Sequence, residues 1–437
     1  MNEMQTALKI ISELNRNGFK AYLVGGSVRD MCMDIPPHDF DIATSARPAE
    51  VKSVFPKTFD TGLKHGTVTV VLNNTNFEVT TFRTESTYQN HRKPEKVEFV
   101  TDINADLKRR DFTINAMAYH PDQGIIDPFG GQEDLKNKII RCVGNPETRF
   151  EEDALRMLRC VRFACKTNFS VHEDTLCAIT KKRELLTYIS KERIYDELTK
   201  ALLSDHPEHL RLAHDTGLLE MFLPELTACF LTEQNTKYHL YNAGDHILKA
   251  VCATPKDKTV RFAALLHDIA KPQSKTTDAS GQDHFKGHEE KSADLAVKIL
   301  QRLKAENKLI SDVETLIRNH RAQDYKNKYA VKKKIRSVGM ERLPLFLELL
   351  KADTLAHNPE FNAPRLAAQQ YLLNTYTEIS ENVEPMEIKD LALSGKDLID
   401  AGFSGSEIGK KLDILLDFVL QYPEKNTKEH LSERIKL

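Results

Sequence analysis

Two short stretches near the start of the chain carry residue types suited to phosphate chemistry. Asp39 and Asp41 flank Phe40, two residues apart. On an extended strand this spacing turns both carboxylates to one face and Phe40 to the core. Carboxylate oxygens on one face suit a hard cation such as Mg²⁺, which keeps part of its water and binds substrate phosphates. Just upstream, Gly25 and Gly26 end the apolar run Ala21–Val24, and glycines let backbone N–H groups approach an anion closely. Glu78 lies in a further strand-like run, Phe77–Phe82. There it is either a third carboxylate beside Asp39 and Asp41 or an exposed strand residue. The two motifs together predict nucleotidyl transfer.

The elements that must position these groups change character along the chain. Residues 3–17 have helical spacing, and Ala21–Val24, Gly66–Leu72, Phe77–Phe82 and Val97–Val100 read as strands. Asn73-Asn74 separates two of them like a hairpin turn. After about residue 145 the pattern is helical almost without interruption, including Glu151–Lys166, Ile194–Leu203, Val313–Arg321 and Leu412–Leu420. The expected class is α+β: a small mixed-sheet head followed by a long all-α region.

Composition sets further bounds. The 437 residues carry 62 Lys+Arg against 64 Asp+Glu, a formal charge of −2, so a nucleic-acid partner must meet local basic patches. Seven cysteines without a C-x-x-C pair fit reduced, mostly buried thiols. The start of the chain lacks a cationic, apolar signal, and no run of apolar residues is long enough to span a bilayer. A soluble, cytoplasmic protein with no membrane partner is expected, and its oligomeric state stays open.

Lys108-Arg109-Arg110 precedes Asp111 and Asn115 in a segment that turns helical. Three cations at a helix N-terminus oppose its dipole, so they are expected to serve an anion such as a triphosphate. Asp111 is expected either to cap the helix or to share in ribose and phosphate binding with Arg110 and Asn115. The polar stretch Thr84–Pro94 reads as a mobile loop beside the site or as a solvated hairpin connection. Further on, Glu152, Asp153 and Arg156 share one face if their segment is a continuous helix. Cytosine and adenine each present an amino donor beside a ring-nitrogen acceptor. A carboxylate next to a guanidinium can pair with either, while uracil and guanine meet like with like.

These motifs, in this order, carry a resemblance. G-G-x-x-R-D at Gly25–Asp30 followed by D-x-D at Asp39–Asp41 resembles the polymerase β nucleotidyltransferase superfamily. Residues 109–117 (R-R-D-F-T-I-N-A-M), then I-D-P-F-G-G from Ile126 and E-D-A-L-R from Glu152, resemble the class II tRNA nucleotidyltransferases (CCA-adding enzymes) and bacterial poly(A) polymerases. The resemblance implies that Asp39 and Asp41, with Glu78, hold catalytic Mg²⁺. It places Gly25, Gly26, Arg29, Arg110, Asp111, Asn115 and Arg159 around the nucleotide. Asp153 and Arg156 would read the incoming base, with Glu152 orienting Arg156. Lys191–Leu198 resembles the next family motif, in a supporting role.

A second constellation lies in the helical region. His246, His267-Asp268, His288, His320 and Asp353 can converge from different helices on a divalent transition metal. Their order resembles the HD-domain phosphohydrolases, although in related chains the domain is equally a scaffold contacting the tRNA elbow. The basic run Lys326–Arg336 reads as a phosphate-backbone contact or a solvated cationic loop.

The expected organisation is a head (1–140), a neck with the base-recognition motif (141–205), a body with the HD constellation (206–375) and a tail (376–437). The expected activity is addition of CCA to the tRNA 3′ acceptor end from CTP and ATP, with release of pyrophosphate. Alternatives are an A-adding or CC-adding enzyme, a poly(A) polymerase, and, from another class, an HD phosphohydrolase with an RNA-binding head. Ala154 rather than Pro after Asp153 weighs against poly(A) polymerase. The full-length Thr84–Pro94 stretch weighs against CC-only addition.

Overall fold

The two glycines and the first carboxylates meet because of one strand pairing. β1 (Ala21–Val24) runs antiparallel to β2 (Asp41–Thr44), with Val24 opposite Asp41. The Gly25-Gly26 turn that ends β1 therefore lies beside the start of β2. The computed structural model describes residues 2–37, 39–89, 93–321, 325 and 327–435, in two compact units, Met1–Pro224 and Glu225–Leu437.

In the first unit, α1 (Glu3–Arg16) opens with a capping box between Asn2 and Gln5. The chain then builds a seven-stranded sheet. It adds β3 (Thr58–Gly62), β4 (Thr67–Leu72), β5 (Thr75–Thr81), β8 (Ala118–His120) and β9 (Gly124–Ile126) to β1 and β2, in the order β3-β4-β5-β2-β1-β8-β9. Asn73 and Asn74 both have positive φ, 53° and 61°, the turn that suits the twist of the β4–β5 hairpin. β5 is parallel to β2 with Val79 opposite Ile42, which sets Glu78 one residue from that pair. Tyr22, Val24, Ala43, Phe82, Ile103, Leu107 and Ala118 form a core cluster beneath the site.

Helices α2 (Gly26–Cys32), α3 (Pro48–Val54), α4 (Ile103–Lys108), α5 (Gly131–Lys136), α6 (Pro146–Glu152), α7 (Leu155–Thr167), α8 (Glu173–Lys182), α9 (Lys191–Leu202) and α10 (Arg211–Asp215) complete the unit. Asp127 caps α5 by accepting from the Gly131 and Gln132 backbone at 2.7 and 2.8 Å. A Cβ on Gly131 would come within 2.9 Å of Met117 Cγ and also meet the Thr113 carbonyl. Gly131→Ala is therefore expected to destabilise the head by about 2 kcal/mol, the usual cost of overpacking. Loss of hydrogen-exchange protection in β8 and α5 would register it, and unchanged protection would refute it.

Four expectations are corrected. Lys108 and Arg109 end α4 rather than start a helix, so they complement its dipole. The next element is only a 3₁₀ turn, Thr113–Asn115, and Asp111 caps no helix. The run Glu151–Lys166 is not one helix: Asp153 is extended (φ −139°, ψ 104°) between α6 and α7, so Asp153 and Arg156 do not share a helical face. β2 begins at Asp41, leaving Asp39 and Phe40 before it, although Phe40 is buried as expected; Asp39 and Asp41 are exposed. Of the two readings of Thr84–Pro94 the mobile loop is corrected: its described residues belong to a two-stranded ribbon, β6 (Arg83–Gln89) with β7 (Lys93–Phe99), as in a hairpin. Asn90, His91 and Arg92 of that stretch lie outside the described residues.

The second unit is helical: α11 (Pro224–Phe230), α12 (Ala243–Ala253), α13 (Lys258–Leu266), α14 (Lys271–Ser274), α15 (His288–Arg302), α16 (Asn307–Asn319), α17 (Lys328–Val338), α18 (Leu343–Ala356), α19 (Asn362–Glu381), α20 (Gly395–Asp400), α21 (Ser406–Gln421) and α22 (Lys428–Ile435). The basic run is α17 rather than a loop, with Lys326 outside the described residues. Lys328 and Lys332 pair with Glu384, while Lys333 and Arg336 face Asp417 and Asp413. Acids on α21 and after α19 thus neutralise much of its charge. None of the seven cysteines, all among the described residues, is in a disulfide, and four of them are buried. Among the described residues no helix is long and apolar enough to cross a membrane.

Candidate functional site

In the first unit a cavity of about 710 Å³ opens where the Gly-Gly turn, β2, the 3₁₀ turn and α7 converge. Eight arginines and Lys166 line it against only three aspartates, Asp41, Asp111 and Asp153. Such an excess of fixed cations suits a polyanion. A second cavity, of about 570 Å³, is lined by Asp39, Asp41 and Glu78. Asp41 belongs to both, so the carboxylate end and the cationic end adjoin through it.

Gly25 has φ +72°, and a Cβ there would lie 2.8 Å from Arg110 Nη1. No other residue type fits this turn without displacing that guanidinium. Arg110 Nε is buried without a hydrogen-bond partner among the described residues. Such a donor facing a cavity is what an anionic ligand would satisfy. Burial raises the Asp41 pKa above the ordinary carboxylate range, Arg110 opposes that, and Asp39 adds to it. A cation held between the two aspartates would relieve this cost; the all-oxygen donor types of Asp39, Asp41 and Glu78 suit a hard divalent metal, although their carboxylate oxygens do not all lie within 4.8 Å of one another.

Arg29 is buried and bound to Asp30, and its Nη1 donates to Asn115 Oδ1 at 2.8 Å. It thereby fixes Asn115 at the cavity wall. Asp111 Oδ2 accepts from Arg159 Nε and Nη2 at 2.8 and 2.6 Å. Burial alone would raise its pKa, but the Arg159 guanidinium, aided by Arg156, holds it down at about 2. A depressed carboxylate stabilises the fold above its unfolded pKa and loses that contribution as pH falls through the folded value. Arg159→Met is expected to cost the head about 2 kcal/mol at pH 7, below the usual cost of breaking a buried pair because Arg159 is a third exposed. Hydrogen exchange of α7 should show this gap narrowing as pH falls from about 4 towards 2. A gap independent of pH would contradict the pairing.

Around the α6–α7 break, Arg156 Nη1 donates to Glu152 Oε2 at 2.6 Å and to the Arg149 carbonyl at 3.1 Å. Its Nη2 donates to the Arg109 carbonyl at 2.8 Å. Glu152 also pairs with Arg149. Asp153 is held instead by Arg193 on α9, and both line the cavity with Arg156. Phe163, also at the wall, lies under Arg162, Arg159 and Arg29, 4.4, 5.5 and 5.6 Å from its ring centre. Sequence reasoning assigned no role to Arg193, Arg162 or Phe163. Only the K-E-R-I-Y-D-E-L motif pointed towards the first.

In the second unit all six residues of the second constellation meet. His246 Nε2 lies 3.0 Å from Asp353 Oδ1, and His267 Nε2 lies 3.3 Å from Asp268 Oδ2. His288 Nε2 is 3.1 Å and His320 Nε2 3.8 Å from Asp268 Oδ1. Each of these histidines places Nδ1 against a backbone carbonyl, of Ala356, Ala264, Phe285 and Ile317 respectively. If Nδ1 carries the proton, as those carbonyls require, the Nε2 lone pairs turn inward, the arrangement metal-binding histidines adopt. Burial lowers the His267 pKa, but Asp268 and Asp353 outweigh it and push the value up to about 10, so in the absence of a cation His267 also holds a proton on Nε2, which a bound metal would have to displace. Among the described residues, groups of three or more donors within 4.8 Å of one another occur only in this cluster. They also take in His239 and His357, which the sequence reading missed. Lys271, three residues after Asp268, is buried and donates to Gln234 while pairing with Asp268 at 2.6 Å.

The fold and the two sites define the class: a nucleotidyltransferase head, a family that uses divalent metal, followed by helices that hold an HD-type constellation. The comparisons agree. Residues 21–141 match the Poly A polymerase head domain, 168–230 the "Probable RNA and SrmB- binding site of polymerase A", and 236–352 the HD domain. A CCA-adding enzyme of Ligilactobacillus salivarius is 55% identical over 207 residues, 47% of this chain and 51% of the relative. That of Geobacillus thermodenitrificans is 52% identical over 223 residues, 51% of this chain and 55% of the relative. The matched stretch thus spans about half the length of these curated relatives. A crystal structure of the Bacillus stearothermophilus CCA-adding enzyme in complex with CTP is 32% identical, with a TM-score of 0.74, covering 100% of this chain and 98% of that one. The Thermotoga maritima CCA-adding enzyme complexed with tRNA shares the fold, at a TM-score of 0.57 and 20% identity. The chain belongs to the CCA-adding enzyme family.

Proposed function

We propose that this chain adds CCA, without a template, to the 3′ end of tRNA in the cytoplasm, using CTP and ATP and releasing pyrophosphate. The observation that carries the reading is that Asp153 and Arg156 face the same cationic cavity as Gly25, Gly26 and Asp41. Asp39 and Asp41, with Glu78, would hold Mg²⁺. Bound there, Mg²⁺ would neutralise phosphate charge and favour in-line displacement at the α-phosphate. Arg110 and the Gly-Gly turn bind the triphosphate, and Arg29 presents Asn115 to the ribose. Asp111 and Arg159 hold each other and keep the cavity wall fixed. Asp153 accepts the amino group of C or A, and Arg156, oriented by Glu152, donates to the ring nitrogen. Guanine and uracil leave these groups unpaired, the strongest available basis for rejection. The helical regions would recognise tRNA by shape and charge. Titration of the full chain should find CTP and ATP bound at least about tenfold tighter than UTP and GTP. Equal binding of all four would count against the reading.

The inward Nε2 atoms around Asp268 and Asp353 favour a second reading for the body, a phosphohydrolase site for a divalent transition metal. Hydrolysis of 4-nitrophenyl phosphate or its bis-ester that appears with Mn²⁺, Co²⁺ or Ni²⁺ and disappears in Asp268→Ala would support it. Silence with every metal would leave the cluster a scaffold.

A further inference from the structure

The residue proposed to accept the base amino group stands at the one extended position between two helices. Neither α6 nor α7 fixes the rotation of its carboxylate, and that terminal torsion is intrinsically broad. What fixes it is the local backbone and one partner. Asp153 Oδ1 accepts from the Leu155 N–H at 3.1 Å. Across the cavity wall, Arg193 Nη2 donates to Oδ2 at 2.9 Å, and Nη1 reaches Oδ1 at 3.4 Å. This two-point pairing fits the planar guanidinium and sets the plane of the carboxylate.

Arg193 is itself rigidly mounted. It lies in the first turn of α9, whose Ile194, Leu198, Ala201 and Leu202 are buried. One turn on, Glu197 pairs with Arg162 at 2.8 Å, so α9 is tied to α7 beside the site. The three contacts use three of the roughly four acceptor directions of a carboxylate, leaving capacity for one further donor. An exocyclic amino group needs one. The pairing also has a converse effect. While Arg193 is engaged by Asp153, its forked donors are turned to the carboxylate rather than to a base carbonyl, the feature that uracil and guanine would offer there.

We propose that Arg193 is a specificity-determining residue: by clamping Asp153, it presents one carboxylate oxygen to C or A and withholds its own donors from U and G. The inference rests on the reading of Asp153 as the base acceptor. It assigns Arg193 a positioning role, with no contact to the reacting atoms.

Single-nucleotide addition by the full chain tests it, with CTP against UTP on tRNA lacking CCA, and ATP against GTP on tRNA ending in CC. Arg193→Met should lower both kcat/KM ratios about tenfold, the discrimination expected from one lost bidentate contact, mainly through KM for the correct nucleotide. Arg193→Lys keeps the charge but not the fork, so it should fall between wild type and Arg193→Met. Lower kcat with unchanged ratios in both variants would overturn the proposal. If Arg193→Met loses hydrogen-exchange protection in α7 and α9, Arg193→Lys decides alone: a ratio reduced several-fold supports the clamp, and an unchanged ratio refutes it. Asp153→Ala separates the two levels. Wild-type ratios in Asp153→Ala would remove the base-reading role and the clamp with it. Altered ratios there, with unchanged ratios in the Arg193 variants, would remove the clamp alone.

Discussion

Nucleotide addition is expected to fall at least about a thousandfold when Asp39 and Asp41 are both changed to Asn, because several kcal/mol of charge stabilisation at the phosphates would be lost. The fold should survive the change. Both residues are exposed overall, and partial burial of the Asp41 carboxylate, opposed by Arg110 and reinforced by Asp39, already holds its pKa up. A raised carboxylate pKa means that the folded state disfavours the ionised form at neutral pH, so the neutral amide removes a cost rather than a support. Melting temperature should stay level or rise while incorporation disappears. Retained incorporation would show that these carboxylates do not carry the reaction. Loss of both activity and folding would point to a structural role instead.

Arg156→Ala is expected to act on both stability and selection. The guanidinium ties Glu152 on α6 to the Arg149 and Arg109 carbonyls, joining the α6–α7 break to the end of α4. Removing it leaves the part-buried Glu152 carboxylate to Arg149 alone, the Arg149 carbonyl to the Asp153 N–H, and takes a donor from the Arg109 carbonyl, a loss of about 1 to 3 kcal/mol. Addition of C and A should drop by roughly a hundredfold, and the residual reaction should accept U and G more readily. Glu152→Gln should keep the Arg156 contact as a neutral hydrogen bond and retain most of the selectivity. Single-turnover addition with each nucleotide, paired with hydrogen exchange of α6 and α7, measures both effects. A stability loss with wild-type selectivity would make Arg156 a brace only.

Local signals made much of the head legible. The apolar run ending in Gly25-Gly26 and the Asn73-Asn74 turn each have one good backbone solution, and the structure adopts both. The antiparallel register of β1 on β2 then explains why Gly-Gly and D-x-D, fourteen residues apart, form one site. What sequence could not reveal was pairing at a distance. The break at Asp153 is hidden because E-D-A-L-R-M-L-R keeps helical spacing across it. Its cause lies in long-range partners, Arg193 for Asp153 and the Arg109 carbonyl for Arg156. The cations of α17 read as a phosphate contact or a solvated loop without their acidic partners for the same reason: Glu384, Asp413 and Asp417 lie far along the chain. The HD constellation was the opposite case, six residues whose types and order suffice. His239, His357 and Lys271 escaped because each falls outside that pattern and joins only through the packing of the helices.

The most direct measurement uses tRNA transcripts that end before the final CCA, after its first C and after its second C. Each is incubated with the full chain and each nucleotide singly and together, and the 3′ ends are sequenced. The expected products are C on the first two transcripts, A on the third, CCA from the full mixture on the shortest, and no growth beyond the terminal A. A long A tract, addition of U or G at rates near those of C and A, or no incorporation by a folded protein supplied with Mg²⁺ would contradict CCA addition by this chain.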